Sequence, residues 1–247
     1  MASFTPHAHP EIIRIGSYNL SFVKRLAEGG FGLIELVVDN LTKNDLVLKR
    51  CSLQRAEIFA TVNKEIKLLQ TFASPYVVKI ITSEIQTKGA LQEALVLLEF
   101  CPGGHLLDKV NNQNGVPFEK AEIYRIFGQL LLSLQPLHDY NPPCIHRDLK
   151  LENVLIGNDE NIRLCDFGSC TIGYTSLKTV DEKSQAEDII LKETTQMYRS
   201  PEMIDLYMRD LLTEKVNLFT FLFFQYMKIN EIKFHLSSIY YRLIYGH

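Results

Sequence analysis

The sequence predicts an α+β protein, with a β-rich part over residues 18–101 and a more helical part over 102–215. Three observations predict this. Short runs of branched and apolar residues, separated by turn formers, fill the first part. The stretch Lys120–His138 carries apolar side chains at helical spacing and dominates the second. The composition changes at Pro102-Gly103-Gly104, between the two.

The elements follow in order. Residues 1–17 read as a short flexible lead-in. Leu33, Ile34, Leu36, Val37 and Val38 follow a glycine-rich turn and suit a strand, and Leu46–Lys49 suits another. Residues 55–70 suit a helix, with Ile58, Val62, Ile66 and Leu69 on one face. Val77–Ile85 and Ala94–Phe100 return to strand character. In the second part, Ile123, Ile126, Phe127, Leu130, Leu131, Leu134 and Leu137 form the apolar stripe of a long helix. Short strands are expected around Val154–Ile156 and Ile162–Cys165. The polar stretch 173–193 reads as a mobile surface segment.

Composition excludes some function classes. The chain has 247 residues, 46% hydrophobic and 22% charged, with a net charge of −3. An ordinary globular balance with slight acidity gives no basis for nucleic-acid binding. The first residues lack a basic region followed by an apolar run, and no apolar stretch is long enough to span a membrane. Five cysteines without CxxC spacing suit reduced thiols in the cytosol.

The segment Leu26-Ala27-Glu28-Gly29-Gly30-Phe31-Gly32-Leu33-Ile34 points to a phosphate cradle, because glycines let backbone N–H groups approach phosphate oxygens. A dinucleotide fold would place a helix straight after the glycines. An apolar strand follows here, which favours a β-hairpin lid; an ordinary hairpin turn is the plain alternative. Lys49, beside Leu46, Val47 and Leu48, is placed to reach inward. Glu65, on the predicted helix, is a candidate to pair with it and hold its ammonium against the α- and β-phosphates of a nucleotide.

The strongest signal is Ile145-His146-Arg147-Asp148-Leu149-Lys150-Leu151-Glu152-Asn153, followed by Asp166-Phe167-Gly168. Asp148 can accept or orient the proton of an attacking hydroxyl, and Lys150 can neutralise charge on a transferred phosphoryl group. Asn153 and Asp166 offer oxygen ligands to Mg²⁺, a hard cation. Phosphoryl transfer depends on positioning and charge stabilisation, so these few groups nearly suffice.

On these motifs the chain resembles eukaryotic protein kinases, and Lys150 follows the pattern of the Ser/Thr rather than the Tyr enzymes. The resemblance implies a two-lobed protein-kinase-like fold that binds ATP and Mg²⁺ and phosphorylates a Ser or Thr of a protein. Ala27 in place of the first family glycine, the run Leu98-Glu99-Phe100-Cys101-Pro102-Gly103-Gly104, Cys165 and Ser169 around Asp166-Phe167-Gly168, and Thr194-Thr195-Gln196-Met197-Tyr198-Arg199-Ser200-Pro201-Glu202 narrow it. Together they are similar to the Numb-associated kinases, especially the cyclin-G-associated and adaptor-associated members. That implies a cytoplasmic enzyme, peripheral at trafficking vesicles, with clathrin-adaptor subunits among its substrates. It implies further that Val47 is among the cofactor-binding residues, that Leu98 sits at the back of the adenine pocket and that the backbones of Glu99 and Cys101 bond the adenine edge. Thr195 is expected beside Asp148 and Lys150. Arg147 is expected to grip a phosphate, for which Thr171, Thr175, Ser176, Thr179 and Ser184 are the candidate acceptors.

The pattern breaks near the end. Where the family carries an aspartate that anchors the catalytic-loop backbone, this chain has Asn217. Residues 216–247 form a divergent, aromatic-rich tail, so the helical lobe is expected to lack its last helices and to be poorly stable. An ATP-binding pseudokinase or scaffold, or an inactive truncated fragment, therefore stand as alternatives to an active enzyme.

Overall fold

The computed structural model describes residues 12–29, 32–89, 91–113, 116 and 118–217. The chain divides into two compact units, Met1–Ala73 with Val78–Phe100, and Ser74–Val77 with Cys101–His247.

The first unit is built on one antiparallel sheet. Its strands are β1 (Ile13–Ile15), β2 (Tyr18–Gly29), β3 (Gly32–Asp39), β4 (Asp45–Ser52), β5 (Ile80–Lys88) and β6 (Leu91–Glu99), in the order β1-β2-β3-β4-β6-β5. One helix, α1 (Ala56–Thr71), follows β4. Alternation along the strands decides the two faces. Leu48, Leu95 and Leu97 join Ile15, Leu20 and Val37 on one. Cys51, Ala94 and Val96 meet Leu53 and Val62, with Ile58 and Ile66 of α1, on the other.

Two details differ from the sequence expectation. Within the expected lead-in, Ile13–Ile15 pairs with β2, Ile13 opposite Leu20, and Ile15 is fully buried. A strand of three residues is too short to show periodicity, and only its partner reveals it. The hairpin glycine Gly32 has φ +145°, and a Cβ there would lie 1.8 Å from the Arg50 carbonyl oxygen. Glycine is thus required at this position by the approach of β3 to β4, independently of any ligand.

The second unit holds α2 (Leu106–Asn112), α3 (Lys120–His138), α4 (Val180–Glu193) and α5 (Pro201–Ile204). Its strands pair in twos: β7 (Cys144–Ile145) with β10 (Thr171–Ile172), β8 (Val154–Ile156) with β9 (Ile162–Leu164), and β11 (Thr175–Ser176) with β12 (Leu211–Leu212). The α3 stripe buries Leu130, Leu134 and Leu137 and packs on β7 and β9. Ile145, Leu177, Ala186, Ile190, Met203, Leu206, Leu212 and Val216 form a further apolar cluster. Among the described residues no helix is long and apolar enough to cross a membrane.

The segment read as mobile is largely a helix. Thr179 caps α4 in a reciprocal capping box with Glu182, and Ala186 and Ile190, four residues apart, bury one narrow face. The Thr-x-x-Glu spacing was readable in the sequence, but the apolar stripe is too thin to announce a helix. At the far end, Val216 and Asn217, assigned to the divergent tail, are buried at 5% and 1% exposure and belong to the core. The rest of that tail lies outside the described residues.

Candidate functional site

In the first unit, the sheet register sets the candidate nucleotide residues. Ala27, Glu28 and Gly29 of β2 stand opposite Ile34, Leu33 and Gly32 of β3, and Leu26 falls at the register shift between Arg25 and Ala27. Gly30 and Phe31 lie outside the described residues. Lys49 stands between Ile34 on β3 and Val96 on β6, and Val47 between Leu36 and Leu98. Lys49 shares a sheet face with Val47 and Cys51, the side on which α1 packs, and its Nζ donates to both Glu65 oxygens at 2.7 Å. Both side chains are largely buried, at 17% and 10% exposure. A bidentate, poorly solvated pair of this kind holds the ammonium in one place. The Glu99 N–H donates to the Lys79 carbonyl at 3.0 Å. A contact from Glu99 to a ligand would therefore use its carbonyl.

In the second unit, Cys101 opens the turn before α2. Its carbonyl accepts the Gly104 N–H at 3.2 Å, and the Gly103 N–H donates to Ile156 at 3.0 Å. Gly103 has no room for a side chain, because a Cβ would meet Ile156 at 2.7 Å. The turn is thereby clamped to β8.

The loop after β7 brings together Asp148, Lys150, Asn153 and Thr195. Lys150 Nζ lies 2.8 Å from Asp148 Oδ2 and donates to Thr195 Oγ1 at 2.8 Å. The Thr195 N–H donates to Asp148 Oδ1 at 2.8 Å. Asn153 Nδ2 donates to the Asp148 carbonyl at 2.8 Å. Burial pushes the Asp148 carboxyl up, but the hydrogen bonds from Lys150 and Thr195 outweigh it and hold the group below its ordinary range. Asp148 is therefore a carboxylate near neutral pH, a weak base but a strong acceptor.

Asn153 also ties the next candidate in, since its carbonyl accepts the Cys165 N–H at 2.9 Å. Asp166 is exposed, with φ 62°, and Arg147 has φ 65°. Left-handed backbone in non-glycine residues is uncommon, and it clusters where function requires it. The donor set fits Mg²⁺. With Asn153 Nδ2 turned to the Asp148 carbonyl, its Oδ1 is the remaining ligand atom, and Asp166 offers an exposed carboxylate. Among the described residues no three His, Cys, Asp or Glu groups gather to hold a metal by themselves, so waters and phosphate oxygens would complete the shell. His146 is fully buried edge-on to Phe167, with ring centroids 5.4 Å apart, and burial holds its pKa down.

A family model described as the protein kinase domain matches residues 20–231. The chain belongs to the protein kinase family. A probable serine/threonine-protein kinase of Dictyostelium discoideum is 37% identical over 210 residues, which cover 83% of this chain and 19% of the relative. A second from that organism is 38% identical, covering 84% and 26%. An actin-regulating kinase of Saccharomyces cerevisiae is 32% identical, covering 87% and 28%. The chain thus spans roughly a fifth to just over a quarter of the length of these curated relatives.

In kinase terms, the segment from Asp166 to Glu202 is the activation segment, and sequence reasoning missed how it is held. Arg147 is bonded by Glu193, and its Nε donates to the Ser169 carbonyl at 2.7 Å. Tyr198 OH donates to Glu152 at 3.2 Å, and its own proton is held tightly, with burial pushing its pKa to about 12. Arg199 donates to Thr194 Oγ1 at 2.9 Å. Asn217 Oδ1 accepts the Arg147 N–H at 3.0 Å, while Asn217 Nδ2 faces His138 Nε2 at 2.9 Å. The amide therefore makes the backbone anchor that the sequence reading assigned to an absent aspartate. An amide oxygen accepts an N–H as a carboxylate oxygen does, without needing charge.

Proposed function

We propose that this chain transfers the γ-phosphoryl group of ATP to a Ser or Thr hydroxyl of a protein. The observation that carries the reading is the closed set of hydrogen bonds among Asp148, Lys150 and Thr195. It supports a site that meets a hydroxyl nucleophile with an ionised acceptor and a neighbouring cation. The substrate oxygen bonds to the γ-phosphorus as the bond to the β,γ-bridging oxygen breaks, and ADP leaves. Asp148 orients the hydroxyl and accepts its proton, and Lys150 offsets charge on the phosphoryl oxygens. Thr195, bonded to both, supports a role in docking the substrate hydroxyl. Mg²⁺, taken by Asn153 and Asp166, would supply charge neutralisation to the phosphates. In the first unit, Lys49 fixed by Glu65 supports a contact to the α- and β-phosphates. The strands bearing Leu26, Ala27, Glu28, Gly29, Gly32, Leu33, Ile34, Val47 and Leu98 support adenine and phosphate binding.

The likeness to Numb-associated kinases in Ala27, Cys165 and the Thr194–Pro201 run points to clathrin-adaptor subunits as substrates, and the actin-regulating name of a yeast relative points to actin-linked proteins. A peptide panel drawn from both separates these. The test of the reaction is labelled phosphate transfer from ATP to a generic protein acceptor, wild type against Asp148→Ala. The variant is expected to fall by about 10²–10⁴ in rate. Equal rates would refute the assignment. Binding of an ATP analogue without Asp148-dependent transfer would favour a nucleotide-binding scaffold.

A further inference from the structure

We infer that Glu193 is a built-in counter-ion for Arg147 that stands in for an activating phosphate, so the activation segment presents Thr195 to Asp148 without being phosphorylated. This rests on the kinase reading above.

Arg147 directly precedes Asp148, and its side chain is only 11% exposed. A guanidinium so poorly solvated needs an anionic or strongly polar partner. It has two. Its Nη2 pairs with the Glu193 carboxylate, and its Nε donates to the Ser169 carbonyl. Ser169 Oγ donates in turn to the Glu193 carbonyl at 2.5 Å. This ring of three residues ties both ends of the activation segment together. Ser169 follows Asp166-Phe167-Gly168, and Glu193 stands two residues before Thr195. Immediately beyond it, the Thr195 N–H reaches Asp148 and its hydroxyl accepts from Lys150. Fixing Glu193 therefore fixes the residue that touches the candidate base.

The placement of Glu193 is not explained by its own helix. It ends α4, where a negative charge opposes the helix dipole. Its gain comes from Arg147. Of the five candidate phosphate acceptors, Thr171 and Thr175 line one cavity with Arg147, and all but Ser184 are engaged in strand pairs or a helix cap. Thr171 pairs with Ile145, and Thr175 and Ser176 pair with Leu212 and Leu211. The Thr179 hydroxyl accepts the Glu182 N–H as the cap of α4, and Ser184 is exposed on that helix. The Arg147 Nη2 is already taken by the Glu193 carboxylate, so a phosphate on any of them would compete with Glu193 for it. Glu193 acts through Arg147 and the backbone, so it is a positioning residue.

The test uses the full chain, stripped of phosphate with a phosphatase and checked by intact mass. Phosphate-free protein is expected to keep the untreated rate to within about twofold. Glu193→Gln is expected to lose about 10- to 100-fold in kcat, the worth of a charge-assisted hydrogen bond, with the KM for ATP little changed. Glu193→Asp should recover most of that loss, which a merely structural role for the side chain would not predict. A large loss on dephosphorylation, regained by incubation with ATP, would overturn the inference, as would a Glu193→Gln variant with the wild-type kcat. Hydrogen exchange at the Thr195 amide gives a readout without turnover. It should be protected in phosphate-free wild type and Glu193→Asp and exposed in Glu193→Gln. Protection in a chain with no transfer activity upholds the inference and sinks the kinase reading; an unprotected amide in phosphate-free wild type overturns the inference whatever the activity.

Discussion

Replacing Asn217 tests how the catalytic loop is held. The residue is 1% exposed, and it satisfies two part-buried groups, the Arg147 N–H at 3.0 Å and His138 Nε2 at 2.9 Å. Asn217→Leu keeps the branched shape, with somewhat more bulk, and strands both. An orphaned buried group costs about 1–3 kcal/mol, so the pair sums to at most roughly 2–6 kcal/mol, a large share of the ~5–15 kcal/mol that holds a domain folded. In a chain of this size that corresponds to at most about 4–24 °C in Tm. The Arg147 backbone, at φ 65°, would also lose the bond that keeps it there, so transfer activity should fall with stability. Differential scanning calorimetry beside the phosphate-transfer assay makes the measurement. A Leu variant that melts within about 2 °C of wild type would show that the anchor does not stabilise the loop. Asn217→Asp adds a test of sign. Burial holds the His138 pKa down, with Glu214 and Asp139 opposing. A group whose proton is disfavoured in the folded state costs stability as pH falls through its unfolded value, about 6.5. A carboxylate at 217 would instead raise the folded pKa of His138. Its contribution would then be present below about pH 6.5 and fade as pH rises through the raised value. The variant should therefore gain on wild type in Tm as pH is lowered from about 8 to 5.5. A parallel pH dependence in the two proteins would refute the pairing.

Two further outcomes follow from the same geometry. Glu65→Gln leaves Lys49 without its bidentate, largely buried partner, and is expected to lower kcat/KM for ATP by roughly 100-fold; steady-state kinetics at varied ATP would show it, and an unchanged ratio would mean that Lys49 is not held for phosphate. Thr179→Ala removes the bond that the Thr179 hydroxyl accepts from the Glu182 N–H in the α4 capping box and should cost about 1 kcal/mol, read as a loss of amide protection confined to the first turn of that helix.

Where a signal is local, the sequence was readable. The stretch Lys120–His138 is helical over its whole length, because seven apolar positions repeat at one period. The strands 154–156 and 162–164 lie where short branched runs announced them. Where packing is thin or partners are distant, the reading failed. Helix α4 buries only Ala186 and Ile190, and β1 is three residues long, so neither produces a period. Asn217 looked like a broken motif because the expected residue type was an acid; the structure places an acceptor there, and an amide is one.

The order and spacing of Lys49, Glu65, Asp148, Lys150, Asn153, Asp166 and Thr195, and from them the family, were determined by the sequence alone. Phosphoryl-transfer chemistry needs specific polar groups in short contiguous runs, and such runs survive as text. Only the tertiary structure decided that Glu193 neutralises Arg147 across 46 residues and that Asn217 supports the same arginine across 70. A hydrogen bond between remote residues depends on chain folding that brings donor to acceptor, and neither side chain carries a local mark of its eventual partner.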